Sequence, residues 1–189
     1  MNFHILENMT AGEASAFLAE FLSHGGHDKP RLSARADYTM PSLVSVLEEV
    51  AGLMQTTERQ PDITLPEWIR TTESYRDGLF DFDAQSKRLL MWVAFYLGET
   101  FVRSNATLSW GTGAIDFAQC NSPVVRGFQH GLELSVILVT ENLLRDICGP
   151  KPTPERVWTA VKYWEGMTEP QPSPSPYSSP AAGSESGEA

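Results

Sequence analysis

The stretch WVAFYLGETFVRSNATLSWGTG, Trp92 to Gly113, is where the chain changes character. Up to Val102 its apolar residues recur on nearly every face of a helix, whereas after Asn105 short runs of β-branched and aromatic residues are broken by glycine. A helix that hands over directly to strands predicts an α+β domain with that helix at its centre. Reading backwards, the helix begins near Asp83 and takes in Leu89, Leu90, Trp92, Val93, Phe95, Tyr96, Leu97, Phe101 and Val102. These residues cover most of its circumference, so other elements must pack on more than one side.

Gly98 and Glu99 interrupt the apolar pattern. Glycine inside a helix costs about 1 kcal/mol relative to alanine, so close approach of a neighbouring element is expected there. Glu99 precedes Arg103 by one helical turn with the acid nearer the N-terminus, which is the favourable order for an ion pair. The favoured reading makes Gly98, Glu99, Arg103 and Trp110 a structural joint between helix and sheet. A rival reading places Glu99 with His130 and Arg126 in the cleft of a small hydrolase, and a third makes the protein a structural adaptor.

Outward from this centre, about five helices around a small three-stranded antiparallel sheet are expected. Thr10-Ala-Gly-Glu13 is a capping-box pattern that opens a helix to about Leu22, with Phe17, Leu18, Phe21 and Leu22 on one face. A second helix starts near Pro41 and carries Leu43, Val46, Leu47, Val50, Leu53 and Met54. On the C-terminal side, ATLSWG, AIDFAQ and PVVRGF read as strands, the first two joined by a Gly111-Thr112-Gly113 turn, and Cys120 to Pro123 reads as the turn into the third. A helix then spans about Leu134 to Cys148, its first residues ambiguous with strand, and stops at Gly149-Pro150. Thr153-Pro154-Glu155 is expected to cap a last helix that faces Val157, Trp158, Val161 and Trp164 inward. Residues 168–189 are rich in proline and serine and are expected to be a disordered tail, leaving residues 1–167 as one globular domain.

The net charge of −10 and the 41% hydrophobic content of a 189-residue chain narrow the function. Nucleic acid and anionic membrane are disfavoured as partners because both require clustered Lys and Arg, whereas a basic protein suits an acidic surface. No run of apolar residues is long enough to span a bilayer and the first residues lack a signal-peptide pattern, so a cytosolic protein is expected. Cys120 and Cys148 are expected as thiols. His24-Gly-Gly-His27 supplies too few ligands on too pliant a loop for a metal, and no phosphate loop, nucleophile elbow or zinc-protease helix occurs, so neither metal nor cofactor is expected.

The connection from Thr56 to Asp83 is broken by Pro61, Pro66 and Gly78, and only LPEWI resembles a short docked turn or helix. A connection of that length in a compact domain is commonly functional. It carries Glu73, Asp77, Asp81 and Asp83 interleaved with Tyr75 and Phe80, and Trp68 a little upstream. Acids among aromatics offer both steering and anchoring, so these residues are the candidate contact surface for a basic partner, with Asp83 also placed to cap the central helix.

Tyr96-Leu-Gly-Glu-x-Phe-Val-Arg103, followed by a tryptophan-bearing hairpin at Trp110 and a strand at Pro123-Val124-Val125, resembles a group of small bacterial α+β proteins. Some of these are encoded beside secreted toxins as immunity proteins. The resemblance covers about residues 85 to 148 and implies a cytosolic, non-enzymatic domain that neutralises a toxin by binding it. It assigns no functional residue to any position of this chain.

Overall fold

The computed structural model describes residues 8–25, 29–114 and 120–168. Helix α1, Ala11–Gly25, opens as its capping pattern requires: the Thr10 amide donates to Glu13 Oε2 at 2.8 Å, and the Glu13 amide donates to Thr10 Oγ1 at 3.3 Å. It continues past Leu22 because Gly25 lies against the Phe95 ring, where a Cβ would stand 2.1 Å from Phe95 Cγ. The expected His24 to His27 pair extends outside the described residues, as do the tail and most of the AIDFAQ strand.

From Lys29 to Thr39 the chain forms a strap outside any helix or strand, with Leu32, Ala34, Ala36 and Tyr38 turned to the core and Lys29, Arg31 and Arg35 to solvent. Its amides need acceptors from elsewhere. Glu49 accepts from the Ser33 amide at 2.6 Å and the Ala34 amide at 2.7 Å. Tyr38, in the left-handed region at φ 60, donates its amide to the buried Tyr96 hydroxyl at 2.9 Å. Ser42 commits its one proton to the Thr39 carbonyl, so the Tyr96 hydroxyl is the donor in their 2.7 Å contact.

Helix α2, Met40–Leu53, which carries Glu49, is capped by Thr39 and buries Leu43, Val46, Leu47 and Val50. Leu53, expected on the same face, is 49% exposed at the frayed end. The strand β1, Thr56–Glu58, pairs antiparallel with β2, Phe80–Phe82, a second sheet that periodicity does not reveal. Between them lie two single-turn helices, α3 at Glu67–Arg70 and α4 at Glu73–Asp77.

Helix α5, Ala84–Ser104, is the central helix; Trp92 to Gly98 are all buried, and α1, α2, β2 and the larger sheet pack around it. Asp83 caps it by accepting the Ser86 amide at 2.7 Å. Fully burying a Leu or Phe side chain stabilises by about 1.5–3 kcal/mol, so Leu97 and Phe101 alone make this helix a principal source of stability.

The larger sheet has the order β3 (Ser109–Thr112), β4 (Pro123–Arg126), β5 (Leu134–Ser135), all antiparallel. Gly111 and Thr112 are therefore strand residues paired with Val124 and Pro123, and the ladder closes beyond them where the Gly113 amide donates to the Ser122 carbonyl at 2.8 Å. The third strand is Leu134–Ser135, the ambiguous start of helix α6, Val136–Cys148. Helix α7, Glu155–Gly166, buries Val157 and Val161, but Trp158 is 44% exposed beneath the Lys162 ammonium, 4.8 Å from its ring. Thr153 gives α7 no side-chain cap; its hydroxyl points back to the Asp146 carbonyl at 3.4 Å. The architecture is α+β, with five long helices and two single-turn ones among the described residues and two small antiparallel sheets.

The two strap amides hold the Glu49 carboxyl below its ordinary value of 4.5. A lowered folded-state pKa stabilises the fold fully above that value and loses the contribution as pH falls through the folded pKa. Glu49→Gln is therefore expected to be less stable than wild type at neutral pH, with the gap closing as pH falls below 4.5. Urea melts at several pH values read this directly, and a gap that stays constant down to strong acid would refute the clamp.

Candidate functional site: a rooted arm beside the central helix

Trp110 joins the sheet to α5. A Cβ on Gly98 would lie 2.1 Å from Trp110 Cη2, so the indole rests on bare helix backbone. Phe95 stacks on the same ring at 6.3 Å and Phe21 meets it edge-on at 5.8 Å. The indole Nε1 donates to Glu99 Oε2 at 3.1 Å, and Arg103 Nε donates to Glu99 Oε1 at 2.7 Å. Arg103 also covers the Tyr38 ring at 3.8 Å, which ties the strap into the joint.

Both Glu99 oxygens are thus engaged, and its rival partners are employed elsewhere. Arg126 donates to Glu133 Oε1 at 2.7 Å and to the Thr112 carbonyl, while Glu133 Oε2 accepts the Ala114 amide at 3.0 Å. His130 is exposed on a single 3-10 turn, Gln129–Gly131, at φ 58. Among the described residues no group of three or more His, Cys, Asp or Glu is placed to hold a metal. The described carboxyls whose pKa moves all move down, held by hydrogen-bond donors; a general acid at neutral pH requires the opposite.

Residues 59–79, between β1 and β2, form an arm. Pro61 and Pro66 stop it from extending either strand, and Pro66 opens the α3 turn without a side-chain cap. Asp62 Oδ1 accepts from the Thr64 amide at 2.9 Å and hydroxyl at 2.7 Å, the Asp62 amide donates to the Tyr75 hydroxyl at 2.8 Å, and Arg70 Nε donates to the Leu65 carbonyl at 3.0 Å. These bonds shape the arm but leave Ile63 83% and Trp68 71% exposed.

The acids of the expected contact surface are also engaged at the base of the arm. Lys151 pairs with Glu73 and, at 3.3 Å, with Asp77; the contact lowers the Glu73 pKa and raises that of Lys151. Arg145 donates to the Phe80 carbonyl at 2.8 Å and pairs with Asp81 at 3.3 Å and Glu141 at 3.0 Å. Its guanidinium also faces the Phe80 and Phe82 rings at 5.1 and 5.4 Å. Asp83 is occupied as the cap of α5, and Ser86 behind it accepts the Gln55 amide at 2.7 Å.

The structure therefore gathers Glu73 and Asp77 on one cation and Phe80 and Asp81 on another. Tyr75 is partly buried, and of the expected contact residues Trp68 and Glu73 stand out into solvent. Sequence reading missed Lys151 and Arg145, which are distant along the chain, and Ile63.

Two substitutions test the joint and the root. Gly98→Ala improves helix propensity by about 1 kcal/mol yet forces Trp110 from its seat, so a net destabilisation of about 1–3 kcal/mol in urea unfolding is expected. A neutral or stabilised variant would mean that the indole moves freely. Arg145→Met leaves Asp81 and Glu141 without their cation; Arg145 is 25% exposed, so the cost falls below that of a fully buried pair, to about 2 kcal/mol. The amides of Phe80–Phe82 should then exchange faster with solvent, and unchanged protection would show that the arm is rooted by something else.

Compared with protein-family models, with curated proteins and with solved structures, the chain matches none.

Proposed function

We propose that this protein is a non-enzymatic protein-binding module of the immunity or antitoxin type, and that it docks a basic protein through the 59–79 arm. The observation that carries the reading is the exposure of Trp68 and Ile63 on an arm whose base is fixed by Arg145 and Lys151. Exposed tryptophan on a pre-shaped element is typical of interface anchors, because its burial stabilises a complex strongly while little conformational freedom is left to lose.

The acids act in two ways in this reading. Glu73, Asp77 and Asp81 hold the base of the arm, and Asp83 caps α5 next to it. The net charge of −10, spread over the whole chain, draws a basic partner and rejects acidic ones. Inhibition follows by occlusion: the arm fills a recess on the partner and the acidic body covers the surrounding cationic surface. The sequence resemblance to immunity proteins supports the same conclusion independently of the arm.

The test begins with a photo-crosslinking residue at Ile63 in the native cell and continues with the purified captured protein. Trp68→Ala is expected to weaken that complex by about thirtyfold or more, as a hot-spot residue does, without altering the melting temperature of the free chain. Trp158→Ala, on helix α7 and outside the arm, should leave affinity unchanged. Equal affinities for wild type, Trp68→Ala and Ile63→Asp would overturn the reading.

A further inference from the structure

A cavity of about 300 Å³ opens between the C-terminal half of α1 and the first turns of α5, far along α1 from its capping box. That volume is the lower end of the range for small-molecule sites. Its wall is largely apolar: Phe17 and Phe21 from α1, Met91 and Trp92 from α5. The aromatic floor is held in place from behind. Trp92 stacks on Tyr96 at 5.4 Å, and Phe21 packs edge-on against Phe95 and Trp110 at 6.3 and 5.8 Å. Met91 also lines a smaller space of about 60 Å³ beside Leu90 and Arg145, so an adaptable thioether separates the two.

The rim has the opposite charge balance to the chain as a whole. Lys87 and Arg88 stand at the mouth, facing Glu20 and His24. Among the fold's other cations, Arg145, Lys151, Arg156, Arg126 and Arg103 each sit on a carboxylate, whereas Lys29 and Arg31 face solvent. Lys87 enters no ion pair among the described residues, and Arg88 acts only at longer range on Asp83. His24 Nδ1 must donate to the Glu20 carbonyl at 3.0 Å, since a carbonyl only accepts, which leaves Nε2 as the ring's remaining polar atom.

We propose that this cavity is a binding site for a small amphipathic monoanion, its apolar body against Phe17, Phe21, Met91 and Trp92 and its carboxylate against Lys87 and Arg88. Glu20 at the same rim sets the charge limit: two cations against one carboxylate favour a single negative group and disfavour a dianion such as a phosphate monoester. Trp68 lines no part of the site, so the proposal does not rest on the partner assigned to it.

The test uses the full chain labelled on methionine methyl carbons, with the Met91 signal identified by Met91→Leu, titrated with decanoate and in parallel with decanol. Decanoate is expected to shift the Met91 methyl saturably, with decanol at least about tenfold weaker. Lys87→Glu with Arg88→Glu, both on the exposed rim, should cost decanoate about tenfold or more while leaving the weaker decanol affinity and the melting temperature unchanged. Met91→Trp, which fills the cavity, should remove binding of both; if that variant fails to fold, the rim pair alone decides. Absence of a saturable decanoate shift would overturn the proposal, and so would equal affinity for decanoate and decanol or indifference to charge reversal.

Discussion

The contact between the Trp110 indole and the bare backbone at Gly98 constrains the rest of the structure. Any side chain on that helical turn would displace the ring, and with it strand β3, because Trp110 is paired in register with Val125. The same ring touches Phe21 of α1 and Phe95 of α5, and its Nε1 is satisfied by Glu99. Glu99 in turn orients Arg103 over Tyr38 of the strap. One glycine, unfavourable in a helix interior by about 1 kcal/mol, thereby allows four separate segments to meet at one point. The aromatic burial it permits exceeds that cost several-fold, since each fully buried ring contributes about 1.5–3 kcal/mol.

Carboxylates complete what the apolar core leaves open. Glu49 takes two amides of a strap that has no ladder, Glu13 and Asp83 take amides at helix starts, and Glu133 takes the amide of Ala114 together with Arg126. Each bond replaces water at a backbone donor that would otherwise lack a partner, and the charged acceptor makes it stronger than a neutral one. The lowered pKa values of Glu13, Glu49 and Asp83 have this common cause, while that of Glu73 is lowered by the Lys151 ammonium. Acid therefore weakens the strap, the helix caps and the arm together, as the same ionised groups hold all three.

The long helices were legible because their apolar period is local, and so was the α+β class, because the period changes after Asn105. The cap at Asp83 and the close approach at Gly98 were legible for the same reason: each follows from a few adjacent residues and a known cost. What escaped reading depends on pairing across the chain. The ambiguity at Leu134–Ser135 is resolved to strand by the open edge of β4, a pairing that residues near Leu134 do not record. The sheet of β1 and β2 joins residues separated by the whole arm, and although Phe80-Asp81-Phe82 alternates, Thr56–Glu58 shows no apolar face to pair with it. Thr153 looked like a cap but is drawn to the Asp146 carbonyl by the turn that connects α6 to α7. The acids of the arm were visible as charges, but their partners Arg145 and Lys151 were not.

That last gap changes what the arm is able to do. A carboxylate hydrogen-bonded to Lys151 presents a partner with a dipole rather than a free charge, and at physiological salt the field of either fades within about 8 Å. Glu73 and Asp77 therefore cannot both root the arm and supply long-range attraction from it. In the proposed docking, attraction arises from the net acidity of the chain, and affinity from the groups the arm leaves exposed, Trp68 and Ile63. The two demands are met by different residues. In that reading the base of the arm is held by Glu73, Asp77 and Asp81 on their cations, while Trp68 and Ile63 stay exposed to meet the partner.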